Sequence, residues 1–197
     1  MEEKKIGSAE EYSKYHVQGS LIKSRILYIH VNQGFSALKK ILATLPDEVR
    51  EQLSKTVYIG EWYPLSMLVM LDQAIAQVLA GGSERVFEEL GVFSADVNLS
   101  GAYEPLVHQD VHAFLELTAV LHKQYQDFGE AQYLRLNDNG ALLQFRYPQS
   151  PPASYCKSAI GYLRRAVELC SGRQVTVRMT GCLRQGDPLC EYRVEWH

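Results

Sequence analysis

The sequence predicts an α+β domain, with a helical N-terminal half packed against a C-terminal four-stranded antiparallel sheet in β-β-α-β-β order. Three observations carry this. As far as Gly129, apolar residues recur at helical spacing, punctuated by caps and glycine stops. Asn139-Gly140 then divides two apolar runs, AQYLRL and ALLQFRY, which is the strongest short hairpin signal. After one more helix, RQVTVRMTGC and LCEYRVEW form a second pair of β-rich runs. Helices followed by strands argue for a sheet backed by helices.

The elements follow in order. Residues 1–14 read as a flexible, charged leader, and residues 15–197 as one ligand-binding-like domain. A helix over 19–31 carries Leu21, Ile22, Ile26 and Ile29, with Ser20 as a cap. A second over 36–45 presents Leu38, Ile41, Leu42 and Leu45. Asp47 and Glu48 open a short third helix, where the helix dipole favours acids. TVYIGEWYP (56–64) is extended and leads into a long helix at 65–80 that stops at Gly81-Gly82. Ser83 caps the next helix, which pauses at Gly91, and one continuous helix is expected over 105–129. Following the first hairpin, the 153–172 helix is capped near Ser154 and ended by Gly172.

Composition excludes several function classes. The chain of 197 residues has 46% hydrophobic residues, enough for a sizeable core. With 20 basic and 23 acidic residues the net charge is −3, and no Lys/Arg tract exceeds Lys4-Lys5, so no nucleic-acid partner is expected. The most apolar stretch, 63–82, is interrupted by Asp72, Gln73 and Gln77 and reads as a core helix, not a membrane span. Four cysteines without an export signal point to reduced thiols and a cytoplasmic location.

GCLRQGDPLC (181–190) holds two of those cysteines. Strict alternation along the strand puts Cys182 opposite Val175, Val177 and Met179. A bulge at Gly181 returns it to the apolar face beside Cys190. Cys156 and Cys170 stand about 21 Å apart on one continuous helix, at ~1.5 Å per residue, too far to share an ion. The strand after Gly172 runs back along the helix, so the cluster expected is Cys156, Cys182 and Cys190. Packed thiols are the first reading and no metal the expectation. The alternatives are zinc, held by three thiolates and a fourth ligand, and a redox pair.

Other candidates have plainer explanations. His108 and His112 are four apart, but HQDVH lacks the HExxH pattern, so exposed or hydrogen-bonded histidines are expected. Asp187 in QGDP is turn chemistry. Lys157, Arg164 and Arg165 read as a solvated helix face, with an anion or partner-protein contact as the alternative, and Trp62-Tyr63 as a core plug, with a ligand-pocket wall as the alternative. No GxxxxGK[ST], GxGxxG or GxSxG is present, so no catalytic residue is assigned and the chain is expected not to be an enzyme.

GYLRRAVELCSGRQVTV and CLRQGDPLCEYRVEW, with VQGSLIKSR, WYPLSMLVMLDQAI and FEELGVFSADVNL, resemble a bacterial paralogous family of unassigned function expanded in myxobacteria. That family is remotely similar to vinyl-reductase-like ligand-binding domains, which share a superfamily with haem–nitric-oxide-binding domains and TRAPP core subunits. The resemblance implies a non-catalytic signalling or regulatory module that binds a small apolar ligand; the alternative is a dimeric scaffold or adaptor without one. It implies a homodimer or protein partner, and makes Cys156, Cys182 and Cys190 the metal candidates. The haem-binding members' Tyr-x-Ser-x-Arg signature is absent, and no histidine is assignable as the iron's ligand. The expectation is therefore no cofactor, and in particular no haem. A ligand site of this kind calls for an interior cavity above about 300 Å³.

Overall fold

The computed structural model describes residues 9–100, 104–108 and 110–197. Its helical half comprises α1 (Ala9–Tyr12), α2 (Gly19–Ala43), α3 (Asp47–Ser54), α4 (Leu65–Ala80) and α5 (Arg85–Leu99). Two short strands, β1 (His16–Gln18) and β2 (Trp62–Pro64), pair antiparallel within it. A 3-10 turn (Glu104–His108) and α6 (Val111–Tyr125) lead into β3 (Glu130–Asn137) and β4 (Gly140–Arg146). Then come α7 (Ala153–Ser171), β5 (Val175–Gly181) and β6 (Cys190–Trp196). The four long strands form one antiparallel sheet in the order β3-β4-β6-β5. The expected α+β class and its β-β-α-β-β end are observed.

Local chemistry explains the helix boundaries. α2 starts where the 59–61 loop satisfies its first amides: Gly19 N–H donates to Glu61 O at 2.8 Å and Ser20 N–H to Ile59 O at 3.2 Å. Ser20 does not cap; its hydroxyl is buried without a hydrogen-bond partner among the described residues. A Cβ at Gly19 would lie 2.1 Å from Tyr58 O, so only glycine allows this approach. The two helices expected over 19–31 and 36–45 are separated by Gly34, whose φ of 79° is left-handed. α4 ends at Gly81 (φ 57°) and α7 at Gly172 (φ 63°), as expected.

Three further expectations are corrected. The single helix over 105–129 is a 3-10 turn and then α6, because the Asp110 carboxylate accepts from the His112 and Ala113 amides and starts a new helix there. α5 does not pause at Gly91; it crosses α7 there, backbone to backbone. Ser154 is buried rather than capping α7. Of the leader expected over 1–14, residues 1–8 lie outside the described residues; within the rest, Tyr12 is buried and donates its hydroxyl to Ser150 O at 3.0 Å.

Two hydrophobic clusters build the interior. One lies in the helical half around Ile22, Ile29, Leu68, Leu71 and Ile75. The other lies between the sheet and α6–α7, around Leu143, Tyr192, Val194 and Leu163. No single described helix is long and apolar enough to cross a membrane; α4 and α5 pass only as a pair, bent by 114°.

Candidate functional site

The crossing of α5 and α7 organises the site. A Cβ on Gly91 would lie 2.0 Å from Ser158 O, and one on Gly161 2.0 Å from Glu88 O. Each glycine lets the other helix's backbone into the space a side chain would fill. The contact brings Ser94 of α5 and Ser158 of α7 to Arg25 of α2. Arg25 is only 3% exposed, and its Nε donates to Asp72 Oδ1 at 3.1 Å. Its Nη1 donates to Ser94 Oγ and its Nη2 to Ser158 Oγ, both at 2.7 Å. Asp72 is 1% exposed, and its Oδ2 has no hydrogen-bond partner among the described residues. Burial pushes its carboxyl above the usual range, against the pull of Arg25.

Beside this polar corner lies a cavity of about 190 Å³ between the helical half and the sheet. Arg25, Ser94 and Ser158 line one end; His122, Tyr147 and Tyr155 line another part of the wall. His122 is 8% exposed, and burial pulls its imidazole down to about 4, so it is neutral at pH 7. Gln126 Nε2 lies 2.8 Å from His122 Nε2 and donates to it, which places the ring proton on Nδ1. The same amide nitrogen donates to Phe128 O at 3.1 Å, and Tyr155 donates its hydroxyl to Gln126 Oε1. Burial also drives the Tyr147 and Tyr155 phenols up, keeping them neutral. The cavity is smaller than the 300 Å³ expected. A larger cleft of about 610 Å³, lined by Tyr28, Glu88, Glu89 and Arg164, is open at the surface.

The cysteine geometry follows the sequence reading. The β5–β6 register shifts between Met179 and Gly181, the bulge expected there. Cys156, Cys182 and Cys190 are buried, and their sulfurs lie within 4.8 Å of one another. Cys170 is half-buried and lines a separate surface hollow with Arg173 and Trp196. The hydrogen bond from Cys156 holds the Cys190 thiol down to about 7, with the Leu183 amide helping. The Cys156 thiol moves up in consequence, and burial adds to that. Of the trio, Cys190 is the thiol whose ionisation is eased. Asp187 is turn chemistry, its Oδ2 accepting from Cys182 N–H at 2.8 Å.

The other candidates separate. His112 faces Tyr133 Oη at 2.6 Å and Asp138 O at 3.0 Å, while His108 lies before the break at Asp110. Lys157, Arg164 and Arg165 tie α7 to α5 by ion pairs with Glu84, Glu88 and Asp96. Trp62 is 45% exposed, so it does not plug the core. Sequence reasoning missed Arg25, Ser94, His122 and Ser158. The available signal was a lone cation in the apolar stripe of α2 and a lone acid, Asp72, in that of α4.

No family model and no curated protein matches the sequence. Solved structures do match. An H-NOX protein from S. oneidensis in the Fe(II)NO ligation state aligns with TM-score 0.71 and 18% identity, over 91% of this chain and 99% of that one. An oxygen-binding H-NOX domain related to soluble guanylate cyclases aligns with TM-score 0.70 and 9% identity, over 91% and 94%. A structure described as probing haem distortion in the H-NOX family gives TM-score 0.70 and 9% identity, over 91% and 94%.

This chain therefore has the H-NOX fold. The haem–nitric-oxide-binding part of the resemblance is supported, whereas the myxobacterial family and the vinyl-reductase-like domains gain no support. The expectation of no cofactor, with haem set aside for want of Tyr-x-Ser-x-Arg, is corrected. The fold this chain shares carries haem in solved structures, and a missing motif does not remove the cavity that a fold makes.

Proposed function

We propose that this chain is a regulatory, ligand-sensing domain, cytoplasmic and non-catalytic, whose ligand occupies the cavity between the helical half and the sheet. The observation that carries the reading is that cavity: aromatic walls with a buried, hydrogen-bonded cation at one end. The protonation states support a binding role. His122 falls to about 4 and the two tyrosines rise, so these groups stay neutral at pH 7 rather than poised to exchange protons.

Haem is the group that the neighbouring structures bring to the fold. The donor chemistry fits it but the volume does not, since about 190 Å³ lies below the roughly 300 Å³ at which ligand pockets begin. His122 is a neutral imidazole facing the cavity and is the residue that would hold the iron, through the nitrogen that now accepts from Gln126. When bound, haem supplies an iron to which a small gas can add. A second reading, a compact organic ligand, is favoured by the volume of about 190 Å³, which suits a small molecule and not a haem.

Native mass spectrometry of freshly purified protein, followed by hemin titration, tests both. A bound non-protein mass, or one equivalent of hemin with a sharpened Soret band that is weakened in His122→Ala, is expected. A bare chain that neither hemin nor a small-molecule fragment set stabilises against heat would end the cavity reading.

The same proposal takes Cys156, Cys182 and Cys190 as a site for one soft divalent cation completed by an exogenous fourth ligand. Tetrahedral thiolate coordination at about 2.3 Å from metal to sulfur puts the sulfurs about 3.8 Å apart, so sulfurs within 4.8 Å of one another would have to close by up to about 1 Å. Cobalt(II) titration should give thiolate charge-transfer absorption at one equivalent, absent in Cys190→Ser. No such band would leave the trio as packed thiols. An adaptor role through self-association is favoured by one observation, the exposed Tyr58, Ile59 and Trp62. Light scattering at high concentration should then report a dimer, and a monomer would remove that role.

A further inference from the structure

Arg25 is an unusual side chain to find lining a cavity with aromatic walls. A buried guanidinium is tolerated when it is paired and hydrogen-bonded, and Asp72, Ser94 and Ser158 supply that. The pair is formally neutral. Its hydrogen bonds are nevertheless unevenly shared. The guanidinium has five N–H groups, and the described bonds use Nε, Nη1 toward Ser94 and, at 3.5 Å, Ser24, and Nη2 toward Ser158. Among the described residues, the second N–H of Nη2 has no acceptor.

The neighbouring hydroxyls add to the imbalance. Ser158 Oγ accepts from Arg25, which leaves its own proton to donate. Ser24 Oγ and Ser94 Oγ lie 2.8 Å apart, and their two protons are shared among that contact, Leu21 O and Leu90 O, so neither has a proton left for the cavity. The end of the cavity formed by Arg25 and Ser158 therefore offers two donors to its interior, while the one unpaired acceptor nearby, Asp72 Oδ2, does not line the cavity. The remaining walls are mainly rings and methyls, among them Leu21, Leu121, Phe145 and Leu163.

We propose that the cavity recognises a compact, mainly apolar molecule carrying one uncharged carbonyl-type acceptor, whose oxygen takes the free Arg25 Nη2 proton and the Ser158 hydroxyl proton. The neutral head follows from charge. Asp72 already balances Arg25, so a carboxylate would bring an uncompensated anion into the interior, where solvation is lost. This inference rests on the reading of the cavity as the ligand site and specifies which end of the ligand is read.

The test is a matched set of probes against the whole chain: toluene, acetophenone and benzoate, followed by NMR titration at pH 7. Toluene and acetophenone should both bind, acetophenone about tenfold more tightly, a factor typical of one good hydrogen bond to a charged donor. Benzoate should bind more weakly than acetophenone. Equal affinities for toluene and acetophenone would overturn the assignment of Arg25 while leaving the cavity as a ligand site. Benzoate binding tightest would overturn the neutral head. Failure of all three probes, with hemin also inert, would remove the cavity reading itself.

A second measurement localises the effect. The double variant Arg25→Met/Asp72→Leu removes both charges together and leaves no unpaired ion. It should keep its toluene affinity and lose the preference for acetophenone; a retained preference overturns the role of Arg25. If the double variant does not fold, the wild-type Arg25 Nε and Nη resonances serve instead: acetophenone, and not toluene, should shift them.

Discussion

Arg25 and Asp72 meet in the interior at 3.1 Å, both almost fully buried. Asp72→Ala leaves Arg25 as an uncompensated cation and should cost about 3–5 kcal/mol, measured by urea unfolding. Removing both charges in one variant should cost far less, because the desolvation of two ions is relieved along with their attraction. His122 supplies a separate test. Its folded-state value near 4 lies below the ordinary 6.5. The unfolded chain therefore binds the proton first as pH falls, so stability is full above about 6.5 and declines toward about 4. Wild type should lose on the order of 3 kcal/mol over that window relative to His122→Phe, compared by denaturant melts at each pH. Equal pH profiles for the two proteins would remove the neutral, desolvated imidazole from the account.

Among the elements, α5 and α7 depend on two missing side chains. Gly91→Ala would press a methyl against Ser158 O, and Gly161→Ala would press one against Glu88 O; both targets are backbone and cannot swing aside. Each change should cost about 1–3 kcal/mol or more in thermal melts and should weaken ligand binding by parting Ser94 from Ser158. Gly34→Ala is different in kind. Nothing crowds its Cβ within 4 Å, so only the backbone, at φ 79° and ψ 172° in a region essentially reserved for glycine, is penalised, at about 1–3 kcal/mol. The sequence displays its local devices openly. Asn139-Gly140, Gly81, Gly172 and the Gly181 bulge each act on their own few residues, so the hairpins, the helix ends and the thiol trio were readable. Asp110 as a cap was readable too, but the apolar stripe running through it hid the break. Gly91 looked like an interruption because a glycine's absent side chain says nothing about which helix will fill the space.

For the molecule as a whole, the cavity was the least readable feature. Arg25, Ser94, His122 and Ser158 come from four helices, and no spacing along the chain records that they meet. Their signature was a pair of opposite charges, each stranded in an apolar stripe, which becomes informative only when the stripes face one another. The missing haem signature is silent on the cavity for the same reason: a motif reports on one way of holding a ligand, while the cavity is a property of the packing.

The first turns of α7 have two clients. Cys156 points to the sulfur trio, whereas Tyr155 and Ser158, on either side of it, line the cavity. Tyr192 fastens this turn to the sheet by donating its hydroxyl to Cys156 O at 3.3 Å. One rigid turn is thus a party wall between two chambers. Thermodynamic reciprocity then fixes what tenants on its two sides do to each other: whatever factor a cation on the sulfurs applies to affinity in the cavity, a guest in the cavity must return to the cation, unchanged in size and sign.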